Sequence, residues 1–273
     1  MGALTRRVLV AAIAIPILLG ITLLNSSLPF KVVGILTLGL ALIEFLRLAD
    51  GKNMKTLKVE GLLTLLLILL PWVLRSWFPF EGRGAFLVGL LFLTLSFLWS
   101  KRPLKEMVVS VSVTFFGAAY FGILGCYFFR LKDLPQGAWH LVWLYAATWA
   151  YDTGGYFAGT WWGAHRLAPR ASPKKSWEGC LGGFVLAFAA LFILWKTVPF
   201  YSRVYSLVDV VVLSSLLSFF GQLGDLVESV IKRSLEAKDS GSFFPGHGGL
   251  FDRIDSLLFN APVLFYYLTL FNK

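Results

Sequence analysis

The stretch 244-FPGHGGLFDRIDSLLFNAPVLFYYL-268 joins two things that rarely meet. From Ser256 onward it reads as a membrane-spanning helix. Just before that, glycines, His247, Asp252, Arg253 and Asp255 crowd against the helix start. An ionised side chain at the centre of a bilayer costs about 2.5–3.5 kcal/mol even on the mildest scale. Acids at this place therefore require either a partner or a task.

The rest of the chain establishes that the surroundings are a membrane. Of its 273 residues, 57% are hydrophobic and 15% charged, and the mean hydropathy is +0.73. An ordinary soluble domain carries about 25% charged residues. Long apolar runs recur from end to end, whereas a transmembrane barrel would show alternating segments of roughly 10 residues. The expectation is an all-α, polytopic integral membrane protein. The first apolar run follows Thr5-Arg6-Arg7 as a signal peptide would, but Pro16 interrupts it and no small-residue cleavage site is clear. It is read as a first span. Cys126 and Cys180 lie far apart in or beside apolar segments, which fits neither a disulfide framework nor a zinc site. With three histidines (His140, His165, His247) a His-rich metal site is not expected either. The net charge of +10 sits in short loops between spans, where it sets topology and meets anionic lipid. No nucleic-acid partner is expected.

At about 20 residues per span, nine helices are predicted, over 7–24, 29–48, 60–78, 84–100, 107–129, 138–158, 179–198, 207–231 and 250–271. With the N-terminus cytoplasmic, the inside segments hold 17 Lys and Arg and the outside segments 8. That bias predicts a cytoplasmic N-terminus and a C-terminus on the opposite side. Residues 1–137 are apolar helices with Glu44 as the main polar exception, read as scaffold, lipid access or dimer contacts. Residues 138–273 carry three polar insertions, all on the predicted cytoplasmic side, and are read as the catalytic half. No internal repeat is visible, which counts against a transporter built from repeats.

Three stretches carry chemistry. In 149-WAYDTGGYFAGTWWGAHRLAPRASPKKSWEG-179, Asp152 ends an aromatic helix before a Gly-Gly pair. Further on, Ser172, Lys174, Lys175 and Glu178 precede a glycine-rich helix. Ser172-Pro173 suits a helix or turn start, and free N–H groups plus two lysines suit phosphate. A topology-setting loop with a capped helix accounts for the same residues. In 221-GQLGDLVESVIKRSLEAKDSG-241, Asp225, Glu228, Ser229 and Lys232 share one helix face. Two acids one turn apart can share a divalent cation or pair with lysines, but Asp225 follows 207-LVDVVVLSSLLSFFGQLG-224 at membrane depth, where function is the default reading. In the opening stretch, Asp252 and Asp255 are three residues apart and Arg253 points elsewhere. A helix cap explains Asp252 well and Asp255 in part. It does not explain why three segments bring acids to one side. Acids with Lys174, Lys175, Lys232 and Lys238 nearby in sequence describe metal-assisted phosphoryl or nucleotidyl transfer, with one cation or two.

The run 229-SVIKRSLEAKDSGSFFPGHGGLFDRID-255 resembles the signature of the phosphatidate cytidylyltransferases, or CDP-diacylglycerol synthases: a Ser, a Lys-Arg pair, a Lys-Asp pair, a Pro-Gly-His-Gly-Gly turn and an Asp-Arg-x-Asp helix start. The stretches 151-YDTGGYFAG-159 and 171-ASPKKSWEG-179 are also similar to family segments. The resemblance is strong over roughly 145–260. It implies transfer of CMP from CTP to phosphatidic acid with release of pyrophosphate, and Mg²⁺ dependence. The bias of basic residues puts the polar insertions on the cytoplasmic face, and the compact chain suggests a bacterial inner membrane. It further implies metal at Asp225, Asp252 and Asp255, with Asp152 and Glu228 as added ligands. Ser172, Lys174, Lys175 and Glu178 would hold the nucleotide. Lys232, Arg233, Lys238, His247 and Arg253 would hold phosphate or the leaving pyrophosphate. The aromatic residues Trp143, Trp149, Tyr151, Tyr156, Trp161 and Trp162 are read mainly as interface belt or core. Glu44 and the small residues of the first half are read as contacts of a homodimer.

Three other readings stand beside this one. A cation-coupled transporter uses acids inside helices but has less need of the Lys-Lys loop or the His-Gly-Gly turn. A CDP-alcohol phosphotransferase would carry an Asp-Gly-x-x-Ala-Arg element, which this chain lacks. A non-catalytic scaffold does not account for acids gathered in one half.

Overall fold

A chain in lipid must satisfy its backbone polar groups internally, and helices do so within a single segment. The computed structural model is accordingly helical and describes residues 3–74, 82–241 and 248–271. Nine long helices are found among the described residues: α1 (Ala3–Leu23), α2 (Leu28–Gly51), α3 (Lys58–Val73), α4 (Gly82–Leu98), α5 (Met107–Lys132), α6 (Gly137–Trp162), α7 (Trp177–Thr197), α9 (Leu207–Ser234) and α10 (Phe251–Leu270). A short helix α8 (Pro199–Val204) and a hairpin of β1 (Arg166–Ala168) and β2 (Ser172–Ser176) complete them. Among the described residues, four segments are long and apolar enough to cross a membrane: Leu28–Gly51, Leu104–Lys132, Trp177–Thr197 and Leu207–Ser234. Ser172-Pro173, expected to open a helix or a turn, opens a strand that pairs antiparallel with β1. The helix starts at Trp177, where Ser176 Oγ caps it by accepting from Gly179 N. Pro173 lacks the N–H, and the preceding residue is biased away from helical geometry.

The chain forms two compact units, residues Met1–Pro135 with Ser234–Arg253, and Gln136–Arg233 with Ile254–Lys273. Residues 234–253, grouped by sequence with the second half, thus fold with the first. In the first unit α5 packs against α2 and α3 through a stripe of glycines. A Cβ on Gly117 would stand 2.7 Å from Phe45, one on Gly125 2.4 Å from Leu38, and one on Gly122 2.8 Å from Ile68. Small residues let helices approach where the solvent is as apolar as the side chains. Leu42, Leu46, Leu69, Ala118 and Phe121 fill this core at no more than 1% exposure. Two buried lysines are paired. Lys31 bonds Asp133 (2.7 Å) and the Trp72 carbonyl (3.3 Å), while Lys132 donates to the carbonyls of Thr22 (2.6 Å) and Leu24 (2.8 Å). The α2–α3 turn closes on Asp50, which accepts from Thr56 N (2.6 Å) and Thr56 Oγ1 (2.8 Å) and pairs with Lys58 (2.7 Å).

In the second unit α6 is the element the others meet. It runs four residues past its expected end at 158, through the Gly154-Gly155 pair, to Trp162. The glycines do not break it because they face α7: a Cβ on Gly154 would stand 2.5 Å from the Gly182 carbonyl, and one on Gly182 2.2 Å from Ala158. Deeper in the unit, Trp143 is fully buried and stacks on Tyr205 with ring centroids 4.7 Å apart. Tyr205 also meets His140 Nδ1 at 2.6 Å. Trp143 and Tyr151 are therefore core, whereas Tyr156, Trp161 and Trp162 are exposed by 66–68%.

The Asp50 turn generates a test of the first unit. Asp50→Ala leaves Thr56 N and Oγ1 to seek other partners, a loss of about 1–3 kcal/mol. Unfolding of the detergent-solubilised variant by SDS titration is expected to move to lower SDS, while Lys58→Met, which keeps both Thr56 bonds, moves it less.

Candidate active site

The site is built where α9 and α10 cross. On α9, Gly221 and Gly224 are one turn apart and leave the helix without side chains on the face turned to α10. A Cβ on Gly224 would stand 2.6 Å from the Asp255 carbonyl, and one on Gly221 2.8 Å from Asn260 Nδ2. The backbone of α10 at Asp255 thus rests on the backbone of α9. Gly224 is followed at once by Asp225, and the close crossing delivers Asp255 beside it. Asp225, Glu228 and Asp255 offer oxygen atoms that all lie within 4.8 Å of one another. Glu228 is 1% exposed, and the other two are half-buried.

Two lysines answer these charges. Lys175, at the end of β2, pairs with Asp225, and Lys232 pairs with Glu228 at 2.8 Å along the helix. Ser229 adds a long contact to Asp225 at 3.5 Å. The hairpin is also tied to the end of α9 by Arg233 Nε, which donates to the Ala171 carbonyl at 3.4 Å. Three acids and two lysines leave one formal negative charge. Carboxylates this close repel one another unless a cation or proton intervenes. The donor set is all carboxylate oxygen, which suits a hard divalent cation such as Mg²⁺ and not a thiophilic metal. The residues present therefore fit Mg²⁺.

The remaining expected site residues divide by location. Asp152 does not end a helix: it is exposed on α6, well before the helix ends at Trp162. Ser172 begins β2 and Lys174 is exposed on it. Glu178 accepts from His165 N at 3.2 Å and also meets His165 Nδ1, so in this structure its carboxylate ties the hairpin to α7. Asp252 takes the capping arrangement: it accepts from Gly249 N at 2.7 Å and Ser240 N at 3.0 Å. It belongs with Lys238 and Arg253 to the first unit, where both basic side chains are exposed. His247 lies outside the described residues.

Two residues were not anticipated. Gln222, one turn before Asp225, accepts from Tyr151 at 2.9 Å and from Cys180 at 3.8 Å. The signal was present, since an amide inside an apolar run is itself a flag, but nothing in sequence named Tyr151 as its partner. Glu44, read from sequence as a dimer contact, is 8% exposed and bonded within the chain to Ser240 and Phe251. Its isolation among apolar neighbours on α2 pointed to an interface, and the partner proves to be a distant loop of the same chain.

Comparison with known proteins gives the family. The chain matches the model of the cytidylyltransferase family over residues 5–271 and belongs to that family. It is 34% identical over 276 residues to a phosphatidate cytidylyltransferase of Bacillus subtilis, covering 98% of each chain. It is 35% identical over 263 residues to one from Staphylococcus epidermidis, covering 94% of this chain and 96% of that one. A Staphylococcus aureus phosphatidate cytidylyltransferase is 35% identical over 229 residues, 82% of this chain and 85% of its own.

The α9–α10 crossing can be tested directly. Gly224→Val must push the Asp255 backbone away and is expected to weaken Mn²⁺ binding, followed by electron paramagnetic resonance, by more than about tenfold. Gly20→Ala, where an added Cβ meets nothing within 4 Å, should bind as the parent does. Equal affinity in both variants would mean that the three-acid cluster is not where the cation sits.

Proposed function

We propose that this chain is a phosphatidate cytidylyltransferase. It joins CTP and phosphatidic acid into CDP-diacylglycerol and releases pyrophosphate. The observation that carries the reading is a family match extending from residue 5 to 271, which takes in every element that bears a site residue. The acid cluster, beside a lysine-bearing hairpin, supports it.

Mg²⁺ held by Asp225, Asp255 and Glu228 would neutralise triphosphate charge and favour departure of the pyrophosphate. The chain's own residues then bind and orient. Lys175 and Lys232 are within reach of the same carboxylates and can turn to phosphate oxygens as these arrive. Ser172, Lys174 and Glu178 on and after the hairpin are assigned to the nucleotide, and Asp152 to the edge of the acid cluster. The signature adds Asp252 to the acids, and Arg233, Lys238, His247 and Arg253 to the phosphate-binding residues. A phosphatidate oxygen attacks the α-phosphorus in line, the bond to the β-phosphate oxygen breaks, and pyrophosphate leaves with that electron pair. The lipid phosphate is anionic near neutral pH, so no general base is required. Rate enhancement rests on positioning and charge neutralisation.

The chemistry also explains why acids stand at a membrane. One substrate is held in lipid and the other arrives in water, so the cluster belongs at the boundary between them. We place that boundary on the cytoplasmic face of a bacterial inner membrane. Nine spans then leave the C-terminus on the far side, as the 17-to-8 distribution of basic residues favours. A C-terminal alkaline phosphatase fusion should be active in cells and the corresponding green fluorescent protein fusion dark. The reverse pattern would refute this topology.

The central test is turnover of CTP and phosphatidate by purified protein with and without Mg²⁺. Asp225→Asn and Asp255→Asn are expected to lower kcat by about 100- to 1000-fold with the fold retained. Turnover that persists after chelation of divalent ions, or in both variants, would refute the assignment of metal to these acids. A parent protein without turnover would refute the function.

A further inference from the structure

Glu44 is a buried acid on α2, and its partners define a task. Its Oε2 accepts from Ser240 Oγ at 3.1 Å and from Phe251 N at 3.0 Å. Ser240 in turn donates its amide to Asp252 at 3.0 Å, and Asp252 follows Phe251 directly in the chain. The four residues close a ring, Glu44 to Ser240 to Asp252 to Phe251 and back. A second bond from Gly249 N, at 2.7 Å, holds the same Asp252 oxygen. Both anchors are buried, Ser240 at 3% exposure and Phe251 at 0%.

The loop is shaped around this carboxylate. A Cβ on Gly241 would stand 2.7 Å from Glu44 Oε1, and one on Gly249 2.4 Å from Oε2 and 2.1 Å from Ser240 Oγ. Two glycines of the motif are therefore required by the approach of Glu44 rather than by a turn. Gly248 is different: its φ of +78° is the left-handed geometry that glycine adopts without strain. The Phe251 ring is fixed separately on α5, against Phe121 at 4.9 Å and Tyr120 at 6.0 Å between ring centroids. The ring contact would bury a helix start by itself. The carboxylate adds direction, because one oxygen holds the Phe251 amide and the Ser240 hydroxyl at once. A buried carboxylate is costly and persists only where hydrogen bonds offset its desolvation.

We infer that Glu44 is a positioning residue for the cytidylyl transfer: it clamps Ser240 to Phe251 and so fixes the carboxylate of Asp252. It does not touch substrate. This assigns a role in the reaction to α2, in the half of the chain otherwise read as scaffold, and it rests on the functional reading above.

The experiment has two arms on purified full-length protein in detergent. The first is amide hydrogen exchange on peptides covering 240–241 and 248–252. Exchange is expected to quicken there in Glu44→Ala and Ser240→Ala, and to stay near the parent's in Glu44→Gln, whose amide oxygen still accepts both bonds. The second arm is steady-state kinetics. Glu44→Ala should lose about 100-fold in kcat, the scale of a misplaced catalytic group, while KM for CTP holds, and Glu44→Gln should recover most of the loss. Ser240→Ala, which removes one bond, should fall between and serves if Glu44→Ala does not fold. Exchange at 248–252 unchanged in the alanine variants overturns the clamp, whatever the activity. Quickened exchange with kcat intact overturns the positioning role. A parent without turnover refutes the functional reading alone and leaves the exchange arm to decide the clamp.

Discussion

The contact on which the second unit depends is the resting of the Asp255 backbone on Gly224. Acids that bind a cation must come within a few ångströms of one another, and side chains two to four bonds long cannot span the usual 8–10 Å between helix axes with many bonds to spare. Removing the side chains at Gly221 and Gly224 shortens that distance. The same two positions are one turn before and immediately before Asp225, so the crossing and the first acid are coded in five residues. Everything that follows, the pairing of Lys175 with Asp225 and of Lys232 with Glu228, is a response to negative charge already gathered.

Away from the acids the second unit is held by polar contacts spaced along its helices. Asn260 donates to Thr148 at 2.9 Å, Tyr151 to Gln222 at 2.9 Å, and Tyr267 to Asp209. Such bonds contribute only about 0.6 kcal/mol each on average in membrane proteins. Their value is directional: each specifies rotation of one helix about another, which apolar packing leaves loosely determined. A site that must hold three carboxylates in register gains more from that than from additional burial. The first unit solves the same problem at Glu44, where a single buried carboxylate sets the path of a loop.

Much of this was legible in the sequence because lipid simplifies the reading. With helices imposed by the need to satisfy the backbone, the hydropathy profile located nine long helices, most to within four residues at each end. Where the reading slipped, the local signals conflicted. The helix expected to end at 158 runs to Trp162, because Gly154 lets α7 approach closely and does not weaken the helix there. Ser172-Pro173 carries the same marks at a helix start and in an extended strand, and only the pairing with β1 decided between them. Of the acids, those on α9 and at the start of α10 were identified by their expense in the membrane. Which of them meet was not. Asp252 and Asp255 are indistinguishable by spacing, yet one is engaged by the amides of Ser240 and Gly249 and the other by the α9 cluster.

The sequence by itself determined the class of molecule, its family and which ionisable residues stand where a membrane makes them costly. Composition, apolar run length and motif order are properties of the chain taken one segment at a time. The tertiary structure alone decided the pairings: Asp255 with Asp225 and Glu228, Lys175 with Asp225, and Glu44 with Ser240 and Phe251. Those depend on how closely helices distant in sequence approach, and on rotation about their axes. A shift of one residue in rotation, about 100° on a helix of 3.6 residues per turn, would turn every one of these side chains away from its partner without changing a single hydropathy value.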